Sequence, residues 1–392
     1  MSTLPRITAE RLADPAAASS LAVELAKSGG VGRAVDNDRL FYFGSWERVS
    51  AAFADPGLVR EHPDRPVPDH PSGRRPSPGL IELDQTWPVF RDPPAHGPLR
   101  QALASALFGL PTGDMARIID DRIGELAKTL RSQDVFDGAR DLSPQVPAAA
   151  MVALTGFRAD AARAVEALVL SMLDRGTPQS AFVAARVALV DALSGALADG
   201  IGDGLLSRLR RLMPDAPLPQ VLSLTVFVLT TGHGGVRDAI SAALWLAATG
   251  ADQGGLGAAV RSGQSLETAF HETLRLCPPL RMVDRWVAAD RSIGRVPLRR
   301  GDRVYLLIGA ACRDPARFAA PDRFDATRVP ARGLGFGSGA HACLGQALAP
   351  VLWSSVLRQM LRGDRSVVPN GAAQWSTRSD DGGLESLPLR WA

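Results

Sequence analysis

The run Phe336-Gly337-Ser338-Gly339-Ala340-His341-Ala342-Cys343-Leu344-Gly345 sets one cysteine in a glycine-rich loop, two residues after a histidine. A helical stretch, Gln346-Ala347-Leu348-Ala349, is expected to follow at once. A Cys343 thiolate would then lie near unpaired backbone N–H groups and the positive end of a helix, both of which stabilise an anion. The glycines let the backbone approach a flat, bulky group without a Cβ clash. A thiolate held this way suits an axial position on haem iron. A lone cysteine is more often a small buried hydrophobe, and a glycine-rich loop alone is often only a turn. The joint spacing of Phe336, the glycines, His341 and Cys343 is more specific than either.

Other charged and polar residues stand at spacings that permit chemistry. Glu272-Thr273-Leu274-Arg275 puts an acid and a base three apart, on one helix face. Taken alone this is a surface ion pair worth ~0.3 kcal/mol. His96 and Arg100, four apart behind Asp92-Pro93-Pro94, share a helix face and can both reach one anion. Arg285 follows Asp284 in a strand-like segment, and guanidinium matches carboxylate by its two-point geometry. Thr230-Thr231-Gly232-His233-Gly234-Gly235-Val236 places three glycines inside a long helical pattern. Each costs ~1 kcal/mol relative to alanine, which predicts a local kink or bulge.

In this chain order, these segments resemble the cytochrome P450 family, the haem-thiolate monooxygenases, over about residues 30 to 390. The resemblance implies a mainly α fold with a minor β portion, as one cytochrome P450 domain over residues 1–392. It implies heme b between the long helix around Gly232 and the loop ending at Cys343. Cys343 would be the iron ligand, with Phe336 and His341 beside the cofactor. His96, Arg100 and Arg285 would serve its two propionates. Arg285 is aligned in preference to Arg281, because its distance to Asp290 and Gly294 fits the family's run. Glu272, Arg275 and Arg323, the last in Pro321-Asp322-Arg323-Phe324, would form a buried charge network bracing the backbone behind the cysteine. Such a network costs desolvation, so its role is positional.

One departure bears on the chemistry. Typical members carry Ala-Gly-x-Glu/Asp-Thr, where the acid and alcohol hold water and pass protons during oxygen activation. Here the acid position falls on Gly234 and the alcohol on Gly235. Thr230, Thr231 or His233 can act from a shifted position, although His233 reads better as helix-face structure. A substrate hydroxyl or peroxide can replace the pair. The reaction can instead be a coupling, desaturation or rearrangement, or the gap can simply admit a bulky substrate. The expected function is oxidation of a small organic substrate in secondary metabolism. The alternative is a haem-binding protein that no longer oxidises. Electrons would come from a ferredoxin and its reductase.

The elements that must position these residues are legible in outline. Residues 38–56 read as a strand, an N-cap at Ser45 and a helix stopped by Asp55-Pro56. Residues 1–30 read as an N-terminal extension. Residues 61–79 are too rich in Pro, Arg and Gly for regular structure and read either as a domain linker or as a long surface loop, with 61–90 then a lid over a substrate site. Apolar recurrence at three and four positions marks helices from about 98 to 250, including a long one over Pro219 to Ala248. Residues 283–308 turn strand-like, with Gly301-Asp302 joining Val296-Pro297-Leu298 to Val304–Ile308. Residues 366–392 suggest small hairpins. Pro350 should cap or kink the helix after the cysteine. By resemblance, 61–90, 168–185, the Thr231 region, Leu280 to Val283 and the loop from Arg378 to Gly383 would line the substrate pocket.

Composition sets bounds. The chain has 392 residues, a net charge of +3 and 46% hydrophobic content, enough for a large core. Lys27 and Lys128 are its only lysines, and no basic run is interleaved with aromatics, so no nucleic-acid partner is expected. Three cysteines without a CxxC pair give no disulfide framework, as suits a cytoplasmic protein. The N-terminus has no apolar signal core. Val221 to Leu229 is too short to span a bilayer, so no membrane association is expected.

Overall fold

A computed structural model describes residues 4–14, 16–64, 87–108, 112–157, 159–173, 177–263, 266–328, 333–362 and 365–392. Most of the expected lid, 65–86, lies outside the described residues. From the N-terminus the chain runs β1 (Arg6–Ile7), α1 (Ala9–Ala13), α2 (Ala17–Lys27), β2 (Val31–Ala34), β3 (Leu40–Phe43), α3 (Trp46–Ala54) and β4 (Leu58–Val59). Then come α4 (His96–Phe108), α5 (Thr112–Arg131), β5 (Val135–Asp137), α6 (Gln145–Thr155), α7 (Ala159–Leu173), α8 (Gln179–Ala198) and α9 (Leu205–Leu212). The long helix α10 (Leu218–Thr249) precedes α11 (Gly255–Ser262) and α12 (Glu267–Leu276). Strands β6 (Met282–Val287), β7 (Arg291–Ile293), β8 (Val296–Leu298) and β9 (Arg303–Leu307) follow, then α13 (Ile308–Ala311) and α14 (Ala349–Leu361). Strands β10 (Val367–Pro369), β11 (Gln374–Trp375), β12 (Leu384–Ser386) and β13 (Pro388–Trp391) close the chain. The fold is mainly α with a minor β portion.

The chain divides into two compact units. The first gathers Met1–Asp64, Glu125–Ser143 and Gly235–Ala392; the second gathers Arg65–Gly124 and Pro144–Gly234. In the first, six strands pair in the order β1-β2-β3-β9-β6-β4. The near-continuous apolar run Leu40-Phe41-Tyr42-Phe43 reflects burial on both sheet faces. Phe41 and Phe43 join Val49, Phe53, Val304 and Leu306 on one side. Tyr42 joins Ile7, Leu21, Leu25 and Leu307 on the other. Residues 4–30, read above as an extension, therefore cover the second face of the sheet. Their apolar residues at 7, 21 and 25 supply the burial that fixes them there.

Ser45 caps α3, its hydroxyl accepting the Arg48 N–H, and the helix ends at Asp55. Strand β8 pairs with β7 rather than across Gly301-Asp302, while β9 lies between β3 and β6. At the C-terminus β11 and β12 form a hairpin, and β13 pairs with both β10 and β5.

The long helix runs unbroken from Leu218 to Thr249, with no π-bulge at its glycines. At Gly232 a Cβ would lie 2.5 Å from the Met151 sulfur, so any side chain there would push Met151 aside. A π-helical turn occurs instead at Gly138–Leu142. Among the described residues α8 is long and apolar enough to cross a membrane by length and composition, a window the sequence reading passed over. It packs on α7 within the second unit.

Candidate functional site

The cysteine loop is built by short 3₁₀ turns at Leu334–Phe336, Gly339–His341 and Leu344–Gln346. The last replaces the expected α-helical entry, since Pro350 sits in the first turn of α14 and the helix begins only at Ala349. The Cys343 N–H donates to the Phe336 carbonyl at 2.9 Å, closing the loop. The Cys343 sulfur is exposed and accepts the Gly345 N–H at 3.3 Å. Gly339 has φ +71°, and a Cβ there would fall 2.5 Å from the Phe53 carbonyl oxygen. Only glycine meets both demands, so α3 presses directly on the loop. The Phe336 ring lies 6.0 Å from Phe270, which in turn meets Trp353 edge-on at 5.3 Å. His341 is half-buried, two residues before the sulfur.

Behind the loop, Glu272 and Arg275 are 3% and 4% exposed and joined by two hydrogen bonds of 2.7 Å. Arg275 also donates to the carbonyls of Cys312, Pro321 and Arg323. The expected third member needs correcting. The Arg323 side chain is exposed and reaches Gln253, so this residue contributes only its carbonyl. The second cation on Glu272 is Arg328, whose Nε donates at 3.1 Å, beside the Asp325 N–H at 3.0 Å. The loop folds back between Arg323 and Arg328. Its sequence, Asp325-Ala326-Thr327-Arg328, held an arginine that could have been considered.

Strand β6 separates the two candidate arginines. Arg281 donates to the carbonyls of Ala13, Ser376, Arg378 and Asp381, tying the C-terminal loop to β6. Arg285 is buried, donates to the Asp284 carbonyl at 2.7 Å and lies 5.6 Å over the Phe53 ring. Its neighbour Asp284 is clasped by Arg60 and by Arg303 at 2.7 Å. Burial would raise this carboxyl, and the two guanidinium groups more than offset it, holding it at about 2. In the second unit, His96 is buried and Arg100 half-buried at the start of α4, on one helix face.

On α10 the threonines spend their protons within the helix. The Thr230 hydroxyl donates to the Val226 carbonyl at 2.8 Å and Thr231 to Phe227 at 2.6 Å. His233 is fully buried, with its Nε2 on the Pro144 carbonyl at 2.9 Å. It is a packing residue, as the sequence suggested. A Cβ at Gly234 or Gly235 would meet nothing within 4 Å. A group the sequence did not single out lies nearby in the second unit. Trp87 donates from its indole to the Ser223 carbonyl and hydroxyl, at 3.1 and 3.0 Å, and packs against Phe227. Arg186, 1% exposed, lies over the Trp87 ring at 5.4 Å. Its place inside an otherwise apolar helix was the available signal.

The family model for cytochrome P450 matches residues 264–378, from α12 through the cysteine loop to the C-terminal hairpin. Cytochrome P450 CYP199A2 of Rhodopseudomonas palustris is 27% identical over 319 residues, 76% of this chain and 74% of that protein. The 6-deoxyerythronolide B hydroxylase of Saccharopolyspora erythraea is 33% identical over 163 residues, 41% of this chain and 40% of that protein. The crystal structure of P450 OxyD, involved in the biosynthesis of vancomycin-type antibiotics, superposes with a TM-score of 0.82 at 25% identity, covering 96% of each chain. The fold and these likenesses define an oxidoreductase of the monooxygenase type. The likeness is to the cytochrome P450 family, and that family implies a haem cofactor.

Proposed function

We propose that this P450 binds heme b through Cys343 and oxidises a small organic substrate in natural-product biosynthesis. One observation carries the reading. Of the three thiols, Cys343 alone is exposed, and its sulfur meets a backbone N–H in a loop that only glycine can form. These residues fit a flat group ligated by one sulfur.

When bound, haem supplies the oxidising chemistry at its iron. The chain positions it. The Gly345 N–H stabilises negative charge on the Cys343 sulfur. Phe336, braced by Phe270, supports the loop from the α12 side. The Glu272–Arg275 pair, with Arg328, pins the carbonyls at 312, 321 and 323 behind the loop. Arg285 and His341 of the first unit are assigned to the haem carboxylates; in the second unit His96 and Arg100 share one helix face suited to an anion. Arg281 is spent on backbone carbonyls, which supports Arg285 for this role.

The natural-product setting is supported by the names of the relatives. Without side chains at 234 and 235, and with both threonine hydroxyls donating within the helix, the usual acid–alcohol pair is missing from its place. Hydroxylation, coupling, desaturation and rearrangement all stand as outcomes. A ferredoxin and its reductase would supply electrons in the cytoplasm. The test is reconstitution with hemin. The reduced carbon monoxide complex should show the red-shifted thiolate band, and Cys343→Ala should lose it. A band retained in the variant would remove Cys343 as the ligand.

A further inference from the structure

The long helix α10 carries one carboxylate in 32 residues, Asp238. It stands four residues after Gly234 and three after Gly235, so the three positions share a helix face, about 6 Å apart. Helix side chains lean toward the N-terminus and cover the preceding turn. Here that turn is bare, since a Cβ at either glycine would meet nothing within 4 Å. Asp238 is 5% exposed and gripped at two points by Arg237, Nε to Oδ1 at 2.7 Å and Nη2 to Oδ2 at 3.0 Å. Burial opposes the charge on Arg237, and Asp238 with Asp381 restores it. One turn on, the Ser241 hydroxyl bonds the Ser143 hydroxyl and the Arg237 carbonyl, bracing the helix at that turn.

We propose that Asp238, oriented by Arg237, is the proton-handling carboxylate of the oxygen-binding side, serving one helical turn away from the position left vacant at Gly234. This rests on the reading of residues 230–235 as the oxygen-activation segment. A weak acid entering the site, such as hydrogen peroxide or hydrogen cyanide, loses its proton to the Asp238 carboxylate as its anion binds. The bond to that hydrogen breaks, a carboxyl O–H forms, and the proton then leaves to solvent. No electron moves in this step.

The experiment uses ferric holoenzyme and two probes. Cyanide must shed a proton to bind, whereas imidazole binds as a neutral base. Asp238→Asn should slow cyanide association at least about tenfold, within the span of general-base effects, and leave imidazole affinity unchanged. Adding Gly234→Glu to that variant should restore the cyanide rate, because the space there is open. Unchanged cyanide association, or an equal loss for both probes, would overturn the proposal. If Asp238→Asn fails to load haem, Arg237→Gln serves instead. It weakens the counter-charge on the carboxylate and should change the cyanide rate alone; no change would count against the role. Gly235→Leu separates this from the underlying reading. It should hinder both probes, and indifference of both would remove the oxygen-side assignment together with the proposal. If it hinders both while Asp238→Asn leaves cyanide untouched, only the carboxylate role fails.

Discussion

Burial sorts the three thiols of this chain. Desolvation lifts Cys277 and Cys312 to about 11, so both stay neutral at ordinary pH. Cys343 is exposed and touched by an N–H. Iodoacetamide at neutral pH should therefore modify Cys343 first in the apoprotein, and haem loading should protect it; peptide mass mapping reads both. Equal labelling of all three would contradict the burial argument. The same logic applies to charge. Arg275→Ala leaves Glu272 buried with Arg328 as its remaining cation, and should cost about 3–5 kcal/mol of apoprotein stability in denaturant titration. Arg323→Ala, an exposed side chain, should cost far less. A reversed order would restore the assignment suggested by sequence. That mistake has a physical origin. Spacing shows which residues share a helix face, and it identified the Glu272–Arg275 pair. It cannot show how a loop folds back, and that decided between Arg323 and Arg328.

Elements show the same division. Strand β3, the Ser45 cap and the extent of α10 were legible because a short apolar run, a capping residue and apolar recurrence are local. The persistence of α10 through three glycines was not, since helix propensity argues against it and the tertiary setting overrides that preference. Strand β6 yields a pH test. Asp284 is held at about 2 by Arg60 and Arg303, against an unfolded value near ~3.9. A depressed carboxyl adds stability that is present above the unfolded value and lost as pH falls through the folded one. The contribution, on the order of 2 kcal/mol, should disappear between about pH 4 and 2. Asp284→Asn should be less stable at neutral pH and lose less on acidification across that window. A parallel acid profile in both proteins would deny Asp284 this role.

At the scale of the whole molecule, the chain weaves two units from separated segments, the first from three and the second from two. Of the boundaries, only that between Asp64 and Arg65 falls in a stretch of linker-like composition, 61–79; the others carry no such mark, and the first unit is assembled by long-range pairing, such as β3 with β9 and β13 with β5. The reaction type also belongs to this scale. Supplied with ferredoxin, reductase and substrate, the holoenzyme should yield a product that gains one oxygen, loses two hydrogens or is a dimer, as read by mass. If the glycine gap limits proton delivery, Gly234→Glu with Gly235→Thr should raise the fraction of electrons recovered in product. An unchanged fraction would mean the gap is not limiting.

From residue order alone follow the cysteine loop, the acid–base pair on α12, the mainly helical character and the family, because each depends on neighbours within a few positions or on motifs in sequence. Tertiary structure alone placed Arg328 on Glu272, residues 4–30 on the second face of the sheet, Arg281 among the C-terminal carbonyls and Asp238 in the grip of Arg237. The reason is desolvation. A buried charge must find partners wherever packing brings donors and carbonyls together, and those partners are set by contacts between distant parts of the chain.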